Sequence, residues 1–441
     1  MPVPTDDESL ALPHPEQEGF ELDEFRARRS ALRAACPGGI IVLRGTTESD
    51  LGHLQSFSQN SFFYYLTGVS TPGAYLVLLP DDVPSASGGR SFASGLKDLL
   101  FLPARNPAME TWTGPKLGPG EDAAREVGID AALDAGSFAS ALAIWIQRNP
   151  IVYTIVPFGD LAEQTREFAF LEWIRRRAPS VQFRDASLPL ARLRSIKSRA
   201  EVTLIEQAIA VSTAGQEAAR RFIAGGKGRH EYEVEAQVLL AFRSHGCTTA
   251  FPSIIGGGFN GTVLHYEQNS DLLEAGDLVV VDIGARFGMY AGDLTRTYPV
   301  GGKFTPRHRE IYEVVLAAHR HAVESCRIGV DTLRDMRDRC FAFLRDTGLK
   351  AADVHGVEHT LDHFMPHGLS HHLGLDVHDT GDSEAPLAPG SVITVEPGVY
   401  LPGERFGVRI EDDYLATPEG LIRLGPDLAV DVDAVEAAMA E

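Results

Sequence analysis

Leu278-Val-Val-Val-Asp-Ile-Gly-Ala-Arg-Phe-Gly-Met-Tyr-Ala-Gly-Asp-Leu-Thr-Arg-Thr297 is the stretch on which the reading of this chain turns. A run of apolar residues leads straight into Asp282, a Gly-containing turn follows, and a second strand brings up Asp293. The pattern predicts a β-hairpin whose first strand is fully buried. A carboxylate at the end of such a strand is costly to desolvate unless something compensates its charge. A metal shared by the two acids would do so; the alternative is that one or both lie at exposed strand ends.

Working outward, the same grammar recurs. Gly276-Asp-Leu-Val-Val-Val-Asp282 and Gly390-Ser-Val-Ile-Thr-Val-Glu396 each place a glycine six residues before an acid that ends an apolar strand. Helical patterns at 200–224 and 230–245 precede the first copy, and patterns at 306–327 and 332–346 precede the second. Strands are expected around 392–400 and 407–416. A duplicated helix–helix–hairpin unit would gather acidic strand ends from both halves into one site.

The candidates for that site are Asp282, Asp293, His371, Glu396 and Glu411. In Val408-Arg-Ile-Glu-Asp-Asp413, strand alternation puts Arg409 and Glu411 on one face. Four carboxylates and one imidazole exceed what one ion needs and suit two ions that share bridging carboxylates. The mixed O/N set favours Mn, Co, Fe or Zn over Ca or Mg. Two such ions can ionise a water and polarise a carbonyl.

The histidines need sorting. His355, His359, His363, His367 and His371 fall at steps of four, but Pro366 and Gly368 break any helix there. His355, His359 and His363 are therefore read as the face of one helix, without metal. His367, His371 and His378 belong to a glycine-containing loop able to approach a site closely. Gly256-Gly-Gly-Phe-Asn-Gly261 matches a dinucleotide fingerprint literally, but no convincing helix opens after it.

Toward the N-terminus, residues 1–20 read as a floppy tail and 21–190 as an α/β domain without a catalytic constellation. A helix is expected at 22–35, with strands at 40–43, 62–66, 74–79 and 99–102. A Ser/Gly/Pro-rich loop spans 81–95, and helices are expected at 121–127, 138–148 and 161–177. The remaining domain is 191–441. With 40 Lys+Arg against 61 Asp+Glu the formal charge is −21, which argues against nucleic acid or an anionic membrane as partner. Cys36, Cys247, Cys326 and Cys340 show no paired spacing and read as reduced thiols. No signal-peptide pattern and no apolar run of about 18 residues is seen, so a cytoplasmic protein is expected.

Taken together, Asp282-Ile-Gly…Gly292-Asp293-Leu-Thr-Arg-Thr, His367-Gly-Leu-Ser-His371, Val395-Glu396-Pro-Gly-Val-Tyr400 and Arg409-Ile-Glu411-Asp-Asp closely resemble one family over about residues 195–420. This is the metal-dependent pita-bread peptidases, aminopeptidase P and prolidase. Ser58-Gln-Asn-Ser-Phe-Phe-Tyr-Tyr-Leu-Thr-Gly68 resembles the family's non-catalytic N-terminal domain more weakly. The resemblance implies an α+β protein with a C-terminal pita-bread catalytic domain behind a smaller, creatinase-like α/β domain. It implies two divalent ions, typically Mn2+, with Co2+ or Zn2+ as the other candidates. Asp282 would hold one ion, His371 and Glu396 the other, and Asp293 and Glu411 would bridge. His265 matches a histidine close to the metals, and His378 one that stabilises the tetrahedral intermediate. His367, Arg409 and Tyr400 match residues of the substrate pocket; their structural alternatives are a hydrogen-bonded loop histidine, a strand arginine and a core tyrosine. Glu396 would also move the proton. His372 stands where aminopeptidase P-like sequences often carry Trp and prolidase-like ones a small residue.

The implied reaction is hydrolysis of the Xaa-Pro bond at the N-terminus of peptides with proline second, by a homodimer or homotetramer. The alternatives are a prolidase restricted to Xaa-Pro dipeptides, a non-peptidase pita-bread hydrolase, and a binding module.

Overall fold

The computed structural model describes residues 21–47, 57–80, 95–157, 166–226 and 229–441. The expected tail at 1–20, the loop at 81–94 and the start of the expected helix at 161–165 lie outside these residues. The chain forms two compact units, Gly19–Arg194 and one containing Ser195–Glu441.

The first unit is built on a mixed sheet. Its strand order is Ala131–Asp134, Asp98–Leu102, Tyr75–Leu78, Ile40–Arg44, Ile151–Thr154 and Gln182–Asp185. Ile40–Arg44 pairs antiparallel with Tyr75–Leu78 and parallel with Ile151–Thr154. Phe101, Phe138, Trp145 and Ile174 are buried in its core, where Phe138 stacks on Trp173. The Phe62–Leu66 strand is corrected: Ser61–Thr67 is a helix. Asn60 accepts from the Phe63 N–H at its start, and Gly68, at φ 66°, closes its end. Local capping overrides the β-propensity of the aromatic run. Arg29 is fully buried beside it. It donates to Asp98 Oδ2 at 2.7 Å, to the Leu66 carbonyl at 2.9 Å and to the Gly128 carbonyl at 2.5 Å.

The second unit repeats a helix–helix–strand order. Arg199–Ala224 and Glu231–Ser244 precede Leu278–Ile283 and Leu294–Pro299. Pro306–Glu324 and Leu333–Asp346 precede Val392–Val395, Gly398–Leu401, Phe406–Arg409 and Asp412–Thr417. Ser198 and Glu201 form a reciprocal capping box that starts the long first helix. The echo seen in the sequence has a conformational basis: Gly276 and Gly390 take φ of 93° and 90° at the turns into their strands, a region open to glycine and strained for other residues.

Within this unit the strand spanning 392–400 is broken at Glu396-Pro397, and its two pieces enter different sheets. Pro397 has no N–H to continue a ladder. The single helix expected at 355–363 is also corrected. Lys350–Ala352 and Glu358–Thr360 form a hairpin, followed by a short 3-10 turn at Leu361–Phe364. Gly356 takes φ 79°, and Asp353 accepts from the backbone N–H groups of His355 and Val357. That turn chemistry excludes a continuous helix, and it leaves the rings of His359 and His363 stacked 3.8 Å apart.

Replacing Arg29 by Met should destabilise the protein by roughly 2–4 kcal/mol, because the Leu66 and Gly128 carbonyls lose this buried donor and Asp98 is left with the partly exposed Arg33. Denaturant unfolding of the purified variant measures this, and a change below about 1 kcal/mol contradicts the assignment.

Candidate metal centre

Leu278–Ile283 and Leu294–Pro299 run antiparallel, with Asp282 opposite Thr295. A small second hairpin, Ala285–Phe287 with Tyr290–Ala291, occupies the turn between them. Asp293 therefore lies just before the return strand, beside Asp282. The second half of the unit meets the first at the isolated bridge of Thr295 with Glu411, beside which Thr297 Oγ1 donates to the Arg409 carbonyl at 3.0 Å. The Glu411 N–H donates to the Thr295 carbonyl at 3.1 Å, and Thr295 Oγ1 donates to Glu411 Oε2 at 2.6 Å. On the other side, the Thr394 N–H donates to the His371 carbonyl and the Glu396 N–H to the Leu369 carbonyl. These links carry His371 and Glu396 to the same place.

Ligand-capable atoms of Asp293, His371 and Glu411 lie within 4.8 Å of one another. His371 Nε2 is 3.5 Å from Asp293 Oδ2 and 3.5 Å from Glu396 Oε1. Its Nδ1 faces the His372 carbonyl at 3.1 Å. A proton on Nδ1 would leave the Nε2 lone pair free to bind a cation held between it and the acids. Asp282 stands across the cluster, where Arg409 Nη2 donates to its Oδ2. All five candidates thus line one cavity of about 490 Å³.

The electrostatics are those of a cation site. Burial pushes Asp293 up to about 6, only partly offset by its hydrogen bond with His371. Burial likewise pushes Glu396 up to about 7, against the pull of His371. Glu411 lies well above the carboxylate range, through burial and then the charge of Asp293. Burial works against an imidazolium at His371, but the Asp293 hydrogen bond and the Glu396 charge outweigh it and hold the ring at about 9. Asp282 Oδ1 and Asp293 Oδ1 are buried without a hydrogen-bond donor. Buried acceptors of this kind carry a full desolvation cost. Divalent cations fit this donor set: oxygen-rich, one imidazole, with carboxylate oxygens left over.

The remaining candidates fall around the cluster. His265 and His378 line the cavity, and the His378 ring centroid is 4.4 Å from that of His371. His367 also lines it, and burial lowers its pKa to about 4. Its Nδ1 contacts the Gly368 carbonyl at 2.6 Å and its Nε2 the Tyr400 hydroxyl at 2.9 Å. Arg409 Nη1 donates to the same hydroxyl at 2.8 Å. Tyr400 is buried behind His367 and Arg409, tying the two together. Phe251, Pro252, Ile254, Leu264 and Val377 supply an apolar wall.

Two residues that sequence reading did not single out complete the site. Thr295 holds Glu411, as above, and accepts from Arg409 Nε at 3.2 Å. Asp413 is fully buried, and its Oδ2 accepts from the Asp293 N–H at 2.9 Å. Burial and the Asp293 charge raise its pKa well above the usual range. Alternation was the available signal, since Asp293 with Thr295 and Glu411 with Asp413 are i, i+2 pairs.

Residues 203–418 match metallopeptidase family M24, and residues 25–153 match the aminopeptidase P N-terminal domain. The chain is 34% identical to a Haemophilus influenzae Xaa-Pro aminopeptidase, over 90% of this chain and 93% of that one. It is 32% identical to the Escherichia coli Xaa-Pro aminopeptidase, over 94% and 97%. This chain belongs to the aminopeptidase P family of M24 metallopeptidases. Solved structures agree. Proline aminopeptidase P II from Yersinia pestis superposes on this peptidase with a TM-score of 0.81 at 30% identity, covering 96% of this chain and all of that one. Zn-substituted E. coli aminopeptidase P in complex with product gives 0.80 at 29%, over 96% and 98%. The peptidase thus has the pita-bread catalytic domain and an aminopeptidase P N-terminal domain, and divalent ions are its family's cofactor. Among its described residues no helix is long and apolar enough to cross a membrane.

The raised carboxylates carry a pH signature. Asp293 and Glu396, at about 6 and 7 against ordinary values of 3.8 and 4.5, keep protons in the metal-free fold that the unfolded chain releases. Their stabilising effect is complete below the ordinary values and is lost as pH rises through 6 and 7. The chelated peptidase should therefore lose thermal stability over that window, while metal-loaded enzyme does not. Metal loading should release protons, and affinity should rise about tenfold or more between roughly pH 5.5 and 7.5. Calorimetric titration in buffers of different ionisation enthalpy measures both; proton-neutral binding contradicts the site.

Proposed function

We propose that the enzyme is an Xaa-Pro aminopeptidase that removes the first residue from peptides with proline in second position. The observation that carries this reading is the convergence of four carboxylates and His371 on one cavity, flanked by His378, His367 and an apolar wall. Asp282 would hold one ion, His371 and Glu396 a second, and Asp293 and Glu411 would bridge them, with Mn2+ the proposed metal. Bound ions would supply a Lewis acid for the scissile carbonyl and lower the pKa of an attacking water.

The chain's own groups do the rest. Glu396 would accept the water's proton and pass it to the leaving proline nitrogen. His378 donates to the developing oxyanion, and His265 assists from the same cavity wall. Tyr400 donates to His367 Nε2, so a neutral His367 keeps its proton on Nδ1, turned to the Gly368 carbonyl. Arg409, held by Asp282, Tyr400 and Thr295, supports the substrate pocket rather than moving with the substrate. An X–Pro bond has no N–H, so a peptidase must hold it through shape and the carbonyl rather than through that donor. Composition supports a cytoplasmic location, and the family resemblance supports a homodimer or homotetramer; light scattering tests the latter.

With metal-reconstituted enzyme, an Xaa-Pro-Yaa tripeptide should be cut between Xaa and Pro. Cleavage of Xaa-Pro dipeptide alone would make it a dipeptidase, and cleavage of neither would overturn the reading. Glu396→Ala should fold, bind metal more weakly and lose activity by at least about 10²-fold. Near-normal turnover in that variant removes Glu396 from its role.

A further inference from the structure

The segment between Phe364 and Val392 contains no helix or strand, yet it carries His367, His371 and His378. Its first part is anchored to neighbours. The Leu373 N–H donates to the Val392 carbonyl at 3.0 Å, and the Ala291 N–H to the Gly374 carbonyl at 2.8 Å. From Gly374 through His378 the backbone is a series of bends. His378 is exposed at the cavity wall, where its ring meets that of His371 edge-on.

The next residue is fixed firmly. The Asp379 N–H donates to the His372 carbonyl at 2.8 Å, closing the loop on itself. Lys197 Nζ donates to Asp379 Oδ2 at 3.0 Å, with side chains only 1% and 2% exposed. Lys197 is itself held, since its N–H donates to the Gly390 carbonyl at 2.8 Å. Two glycines make room for this arrangement. A Cβ at Gly374 would fall 2.2 Å from Asp379 Oδ2, and one at Gly381 would fall 2.0 Å from His372 Cδ2. A buried ion pair is often no more stabilising than an apolar pair of the same shape. What it adds is a tie: the ion pair joins Asp379 to the segment at Lys197, which is itself bonded to Gly390.

We propose that Lys197 and Asp379 act as a buried clamp that positions His378, and are positioning residues for the reaction. Asp379 follows His378 directly, so fixing Asp379 limits where the His378 ring can lie. This rests on the role given to His378 above, and a double-mutant cycle separates the two claims.

Lys197→Met, Asp379→Asn and His378→Ala are made singly, and the first two are also made in the His378→Ala background. Turnover of an Xaa-Pro-Yaa tripeptide is measured on metal-loaded protein, with metal content and circular dichroism recorded. Lys197→Met should lower kcat roughly 10²-fold, with KM within about threefold and metal content unchanged. In the His378→Ala background the same change should cost less than about twofold, because the residue it positions is gone. Asp379→Asn keeps the side-chain shape; it should follow the same pattern more weakly, and it decides the matter if Lys197→Met does not fold. Equal losses in both backgrounds, or unchanged kcat in a folded variant, overturn the clamp. Near-normal turnover of His378→Ala instead overturns the role of His378.

Discussion

Thr295 and Glu411 meet by one backbone hydrogen bond and one side-chain hydrogen bond, and the catalytic unit depends on that contact together with its neighbours, Arg409 to Asp282 and the Asp293 N–H to Asp413. It joins the halves of an internal repeat, and each half brings acids to the joint. Like charges gathered out of water repel one another and lose hydration. The fold offsets this with donors aimed at single oxygens: Thr295 to Glu411, Arg409 to Asp282, and the Asp293 N–H to Asp413. Several acid oxygens still lack donors, among them Asp282 Oδ1 and Asp293 Oδ1. That residual need fits the cluster to divalent cations.

Arg409 links this cluster to the pocket beside it. One guanidinium serves Asp282, Thr295 and Tyr400, and Tyr400 in turn contacts His367. A planar fork with several fixed donors can do this, whereas an ammonium on a flexible stem cannot hold three partners in set directions. Ion binding and pocket shape therefore share a support. Behind the strands, Arg296 repeats the device: it donates to Asp412 and to the Glu411 carbonyl, stiffening the segment that carries Glu411.

Much of the site was legible because a buried strand ending in an acid is costly. That cost marks Asp282, Asp293, Glu396 and Glu411 as candidates from the sequence alone. The glycines at 276 and 390 were visible as an echo, and their positive φ explains why the echo is there. Where the reading failed, a local feature outweighed the pattern. Asn60 and Gly68 turned an aromatic run into a helix, and Gly356 with Asp353 turned a row of histidines into a hairpin. Pro397 broke what looked like one strand. Asp413 was hidden because it follows a more conspicuous acid, although alternation pointed to it.

Residue types and their periods carried the repeat and the acidic strand ends, since these follow from local periodicity and the cost of burying charge; the part given to His371 came from the family resemblance of its motif. Which acid meets which partner was decided only by folding. Arg409 lies 127 residues from Asp282, and Lys197 lies 182 from Asp379. No local period relates such pairs. They meet because the strands and helices that carry them pack in one register, and only that packing settles which buried charges are paired and which oxygens are left for a metal.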